Sequence, residues 1–198
     1  MQDQADYLGA CFMVGADGEE AYRLAYFADR VAPVQSMGYL ESVLDEVTKL
    51  VDTPYVLRLD DDERMSQSML WWLKSGEYTR YDIVTFPRAN LWGDREHFLK
   101  EEPWWMDAQT RLGKVEKMLG RDRIHKGNPA GSGITVPYAI EHHKFLVRDY
   151  AERLKIAEQY EKVQPGAGKG EYLPYNLPED TGRKLLLANL GSGMGFKA

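Results

Sequence analysis

Thr53-Pro54-Tyr55-Val56-Leu57-Arg58-Leu59-Asp60-Asp61-Asp62-Glu63-Arg64-Met65-Ser66 is the stretch on which the reading of the chain turns. Its first half reads as a short buried strand opened by proline. Four consecutive acids close that strand, and Ser66 then stands where a helix N-cap is expected, before Gln67-Ser68-Met69-Leu70-Trp71-Trp72-Leu73, with Gly76 as the stop. A strand that ends in carboxylates and turns into a helix puts those acids at the carboxyl edge of a sheet, where open α/β sheets bind ligands. Clustered carboxylates repel one another unless a cation sits among them, and an all-oxygen set suits a hard ion such as Mg²⁺ or Mn²⁺. A solvated acidic turn is the plainer reading of the same four residues.

Working upstream, Tyr7 to Val14 reads as a strand, Gly15 to Gly18 as a turn, Glu19 to Ala28 as a helix and Arg30 to Val34 as a second strand. Leu40, Val43, Leu44, Val47, Leu50 and Val51 recur at helical spacing and predict an amphipathic helix. Downstream, Asp82 to Phe86 reads as another strand. Strands alternating with helices predict an α/β fold with a mostly parallel sheet flanked by helices. Residues 87–135 are rich in Gly, Pro, Trp and charge, with few clean periods, as loops that build a site are. Val136 to Ile140 reads as a strand and Leu146 to Tyr160 as a helix. Gln164 to Gly170 is a breaker, so residues 1–163 are expected to form one domain and 164–198 a flexible tail.

The 198 residues are enough for a sizeable core, and 43% hydrophobic with 28% charged is ordinary for a globular chain. A net charge of −6 argues against nucleic acid as a partner, which calls for a basic footprint. Cys11 is the single cysteine, so no internal disulfide is available. No apolar run reaches the length of a membrane span and no signal-peptide pattern opens the chain, so the expected location is cytoplasmic. The five tryptophans cluster at Trp71-Trp72, Trp92 and Trp104-Trp105, as core filler or as a platform for sugars or bases.

TPYVLRLDDDERMS resembles the aspartate-any-aspartate strand end of family 2 glycosyltransferases with the GT-A fold, in particular the bacterial lipopolysaccharide-core type. The resemblance continues in order through Asp82 to Asn90 (DIVTFPRAN), Trp105 to Leu112 (WMDAQTRL), Ile124-His125 and Ile140-Glu141-His142-His143-Lys144, covering roughly residues 30–162. It implies transfer of a sugar from a nucleotide-diphosphate donor to a hydroxyl of a carbohydrate or other acceptor, with Mn²⁺ or Mg²⁺ as cofactor. Only 59 residues precede Asp60, and Phe12 to Gly18 matches the family's second strand and its Asp-Gly turn, so the first strand–helix unit is expected to be absent.

Carried over residue by residue, Asp62, Asp60 and His142 are the expected metal ligands. Asp60, Asp61, Gln109, Arg111 and Arg88 are expected at the donor, since a guanidinium forks onto phosphate oxygens. Asp107 is the expected general base, or else a surface aspartate capping a helix that contains Gln109 and Leu112. Trp104 and Trp105 are expected either to stack on the acceptor or to pack in the core. Glu63 supports the cluster. His143 points away from His142 if the strand continues through both, and His125 is a weaker candidate. A non-catalytic nucleotide-sugar- or carbohydrate-binding domain and a metal-dependent phosphohydrolase stand as alternatives to the transferase.

Overall fold

The computed structural model describes residues 13–16, 30–35, 39, 41–120, 133–168 and 176–190. The helix expected over Glu19–Ala28, His125 and most of the first expected strand lie outside them. Two short strands, β1 (Met13–Ala16) and β2 (Arg30–Pro33), pair in parallel. Helix α1 (Glu41–Lys49) follows where the apolar period placed it, burying Val43 and Leu44.

The main sheet has six strands: β3 (Tyr55–Leu57), β4 (Glu63–Met65), β5 (Ile83–Asn90), β7 (Asp107–Lys114), β8 (Gly133–Thr135) and β9 (Ile140–His142). Their order is β3-β7-β5-β9-β4, with β8 beside the first half of β5. The chain is therefore α/β, but the sheet is mixed and the expected mostly parallel arrangement is corrected. The pairs β3–β7, β5–β7 and β4–β9 are antiparallel, and only β5–β8 and β5–β9 are parallel. Strand β7 accounts for two of the three antiparallel pairs. It lies in the segment read as loops and inserts antiparallel between β3 and β5.

Helix α2 (Gln67–Ser75) begins as expected. The Ser66 hydroxyl accepts from Met69 N, and Gly76 closes the helix in the left-handed region at φ 74°. Its Met69, Leu70, Trp72 and Leu73 pack on Val84, Phe86, Leu112, Val136 and Ile140 to form the main core. A smaller cluster of Ala89, Leu91, Phe98 and Ala139 lies at the far end of β5. The helix expected from 146 to 160 is two helices, α3 (Lys144–Val147) and α4 (Tyr150–Val163). Asp149 divides them, because its side chain and that of Glu152 form a reciprocal capping box that restarts the helix.

Residues 176–190, expected to belong to a flexible tail, lie against this body. Strand β10 (Leu187–Asn189) pairs antiparallel with β6 (His97–Leu99), and Ala188 and Leu190 join the smaller apolar cluster. Arg153, fully buried on α4, donates to the carbonyls of Arg148 and Leu177 and pairs with Glu179 at 3.1 Å. Among the described residues no helix is long and apolar enough to cross a membrane.

Candidate functional site

The acids after β3 are folded into a turn. Glu63 N donates to Asp60 O at 3.0 Å, and Asp60 N donates to the Glu63 carboxylate at 3.2 Å. Glu63 then opens β4, where antiparallel pairing sets it opposite His142. Period-two alternation puts Glu63 and His142 on the inner face of this ribbon and Arg64 and Glu141 on the outer one. The strand ends at His142, and His143 is the N-cap of the helix that follows, so the alternation expected if the strand continued does not extend to it.

A β-bulge brings Arg111 to the acids. Along β5 and β7, Val84 pairs with Leu112 but the next residue, Thr85, pairs with Thr110, so Arg111 is the extra residue. Such a residue leaves the regular alternation and can be re-aimed. The Arg111 guanidinium reaches Asp60 at 2.5 Å and Glu63 at 2.6 Å, while its carbonyl accepts from Arg58 N. Arg88 on β5 completes the arrangement, meeting Glu63 at 3.2 Å and Asp107 at 2.5 Å. With Arg58 3.9 Å from Asp60, the six side chains form an alternating ladder, Arg58–Asp60–Arg111–Glu63–Arg88–Asp107. Burial pushes the Asp60 and Glu63 carboxyls up, while Arg88 pulls both down. The two arginines expected at a diphosphate are thus engaged by carboxylates of the chain itself.

Asp107 begins β7 and caps no helix; Gln109 and Leu112 belong to the same strand. Arg88 holds its Oδ2 through two nitrogens, and Gln109 Nε2 donates to its Oδ1 at 2.7 Å. Gln109 therefore orients Asp107. Asp61 points outward, 78% exposed in its side chain, and pairs with Arg148 at 2.8 Å. Trp104 is buried and lends its carbonyl to Asn90, while Trp105 packs on Phe98 with ring centres 4.7 Å apart. Trp105 is half-buried against the smaller apolar cluster.

Asp62 faces the other way from Asp60. Its Oδ1 lies 3.4 Å from His142 Nε2, and both side chains are buried. Asn90, one alternation along β5 from Arg88, settles the state of the ring. Its Nδ2 donates to Trp104 O at 2.9 Å, which turns its Oδ1 toward His142 Nδ1 at 2.6 Å. Nδ1 therefore carries the hydrogen. Burial pushes the imidazole down to about 3, with Arg88 adding to the effect, so the ring is neutral near pH 7. Burial opposes the ionised form of Asp62; a proton on His142 Nε2 would hold its carboxyl well below the usual range, and Lys144 and Arg148 favour the ionised form whatever the state of the ring. An Nε2 lone pair then confronts a carboxylate oxygen. Two acceptors at 3.4 Å are held together by a shared proton or by a cation between them.

The donor set of Asp62 and His142, one carboxylate oxygen and one neutral imidazole nitrogen, fits a divalent ion. Their separation is within the span of two ligands each about 2.0–2.2 Å from it. Asp60 does not join them, since it is turned onto Arg111. Among the described residues no group of three or more His, Cys, Asp or Glu is arranged to hold an ion. Lys144, its ammonium pushed down to about 8 mainly by burial, and Tyr160, its hydroxyl raised to about 12 mainly by burial, lie in the field of the same acids.

Sequence reasoning missed Arg58, Asn90, Lys144 and Tyr160 as parts of this region. Asn90 was the most accessible of them, because Arg88 and Asn90 stand two apart on a strand and share a face. In comparisons with known proteins, no family model matches the chain and no curated protein matches it.

Proposed function

We propose that the chain is a metal-dependent, inverting glycosyltransferase built on this mixed α/β sheet, taking a sugar from a nucleotide-diphosphate donor to an acceptor hydroxyl. The observation that carries the reading is the Asp62–His142 pair, in which Asn90 fixes the imidazole with its Nε2 toward the carboxylate. That arrangement suits Mn²⁺ or Mg²⁺ at the end of an acid-bearing strand, with donor oxygens or water completing the shell. When bound, such an ion supplies charge neutralisation for the departing diphosphate.

The remaining work falls to the chain's own residues. Asp107 accepts the proton of the acceptor hydroxyl as that oxygen bonds to the anomeric carbon and the carbon–diphosphate bond breaks. Arg88 and Gln109 hold its carboxylate in place for this. Arg88 also joins Asp107 to Glu63, and so couples the proposed base to the acid cluster.

The test is turnover of a panel of nucleotide-diphosphate sugars with Mn²⁺ and with chelator. Transfer that requires the metal, is lost in Asp62→Asn, and falls by roughly 10²–10⁴-fold in Asp107→Asn with unchanged donor affinity is the expected result. Full transfer by Asp107→Asn would remove Asp107 from the role. A second reading, a binding domain without turnover, is favoured by the engagement of Arg88 and Arg111 with carboxylates. Saturable donor binding with no product from any sugar would decide for it.

A further inference from the structure

Glu141 and His143, the neighbours of His142 in the chain, meet where β9 gives way to α3. Glu141 stands on the face of the β4–β9 ribbon away from Glu63 and His142, and His143 is the N-cap of α3. Both line one pocket of about 290 Å³ that the glycosyl-transfer reading does not use. The His143 Nε2 lies 3.7 Å from a carboxylate oxygen of Glu141, too far for a hydrogen bond.

His143 is 9% exposed, and its Nε2 is closed to solvent with no hydrogen-bond partner among the described residues. Buried polar atoms left in this condition are rare and call for a reason. A water of its own does not supply one. It would stand about 2.9 Å away, and the surface of Nε2 has no room for it. A metal ion stands closer to its ligands, at about 2.0–2.2 Å. Two ligand atoms on one ion are then about 3.4 Å apart at a tetrahedral angle. From 3.7 Å, the two side chains need close by only a few tenths of an ångström. The Glu141 side chain is 23% exposed, which lets water from the pocket complete the shell.

We propose that Glu141 and His143 form a second cation site, for a borderline divalent ion of the zinc class. One imidazole nitrogen with one carboxylate oxygen is a donor set that Zn²⁺ takes more readily than Mg²⁺, which asks for an octahedron of oxygens. Two arginines line the same pocket and oppose the charge. Arg64 already holds an interaction of its own, and Arg95 is exposed, where solvent and salt screen it. With two protein ligands the affinity is modest. The ion ties the end of β9 to the start of α3. His143 N also donates to Asp62 O at 2.7 Å, so this clamp adjoins the turn that carries the Asp62–His142 pair. The site does not depend on the transferase reading.

Titration of the metal-free full chain with Zn²⁺ tests it, by calorimetry and by NMR of the imidazole nitrogens. The resonances absent from His143→Asn identify that ring, and Zn²⁺ is expected to move its Nε2 signal. Asp62→Asn removes the competing Asp62–His142 pair, whose donor types are the same, and should still bind one Zn²⁺. In that background His143→Asn and Glu141→Gln are each expected to weaken binding at least about tenfold, the least that loss of even an outer-shell partner costs. Asparagine is a good N-cap and glutamine matches glutamate in shape, so both variants should keep the fold, which a metal-free melt checks. Zn²⁺ should raise the melting temperature of Asp62→Asn, and not that of Asp62→Asn/His143→Asn. Should Asp62→Asn fail to fold, the His143 signal in the wild type decides alone. The proposal is overturned if the wild type binds no Zn²⁺ or if the His143 signal stays in place, which would leave the two residues a long ion pair. It is also overturned if His143→Asn and Glu141→Gln bind as tightly as their background, or if Asp62→Asn, correctly folded, binds no Zn²⁺.

Discussion

Arg111→Met tests whether the ion-pair ladder holds the sheet together. Arg111 is 1% exposed, as is Glu63, and its guanidinium lies 2.5 Å from Asp60 and 2.6 Å from Glu63. Removing one partner of a buried pair costs about 3–5 kcal/mol, and here it leaves Glu63 with Arg88 alone and Asp60 with the more distant Arg58 in a site closed to water. Against a total stability of about 5–15 kcal/mol, the loss is large. The ladder also predicts a rescue. Without Arg111, three carboxylates face two guanidiniums. Removing Glu63 as well leaves Arg58 with Asp60 and Arg88 with Asp107, a balanced set. The double variant Arg111→Met/Glu63→Met is therefore expected to be more stable than Arg111→Met alone by about 2 kcal/mol, the cost of one buried unpaired group. Urea unfolding followed by tryptophan fluorescence reads both, since Trp72 and Trp104 are buried. A single variant losing less than about 1 kcal/mol would behave as an exposed ion pair does, and would refute the argument. So would a double variant whose loss equals the sum of the two single losses.

Three further outcomes follow from the same geometry. Asn90→Leu removes the acceptor that fixes the His142 tautomer, and Mn²⁺ affinity should fall about 10–100-fold by calorimetry; unchanged affinity would mean that Asn90 does not set the ring. Tyr160 has its folded pKa raised to about 12, mainly by burial, so the stability it contributes is complete below its unfolded value near 10 and is lost as pH rises to about 12. The stability difference between wild type and Tyr160→Phe should shrink across that window, and a difference flat with pH would contradict it. A chain ending at Val163 loses the partners of Arg153 at Leu177 and Glu179 and the β6–β10 pairing, and should melt about 5–10 °C lower, from about 2–3 kcal/mol of charge-assisted bonds; an unchanged melt would show that the segment is dispensable.

The elements that could be read from sequence are those whose signals are local. The spacing of Val43, Leu44 and Val47 defines α1, and Ser66 with Gly76 brackets α2. Strand β7 was hidden because its residues, DAQTRLGK, are polar and its alternation is broken by the bulge at Arg111. Its buried Thr110 and Arg111 are satisfied by Thr85 and by Asp60 and Glu63, partners that no local window contains. The same limit explains the antiparallel pairing, since alternation of strands and helices says nothing about a strand inserted from a loop-like segment. The site was legible as a set of residues and not as a set of contacts. Arg88 and Arg111 bind oxyanions in either case, and sequence does not say whether those belong to a ligand or to neighbouring aspartates and glutamates. For the region after Gln164, three residues of strand and one buried arginine held from 24 residues away leave no periodic trace.

The charge of the ladder constrains how the proposed donor would be received. With all three carboxylates ionised, against the burial that pushes Glu63 up to about 8, the three guanidiniums and three carboxylates sum to zero, and the cluster as built offers little net attraction for a diphosphate. For Arg88 or Arg111 to turn to a ligand, Glu63 or Asp107 would have to lose a buried partner, at a cost of several kcal/mol. The positive charge for a donor then has to come from outside the ladder. Lys144 lies in the field of Asp62 and Asp60 and, with burial pushing it down to about 8, still carries most of its charge at pH 7. Asp62 and His142 offer the place for a divalent ion on the same side of the turn. In the proposed transferase, metal and donor would therefore bind as one unit. The ladder's part is to keep Asp107 fixed relative to the acid turn while they do.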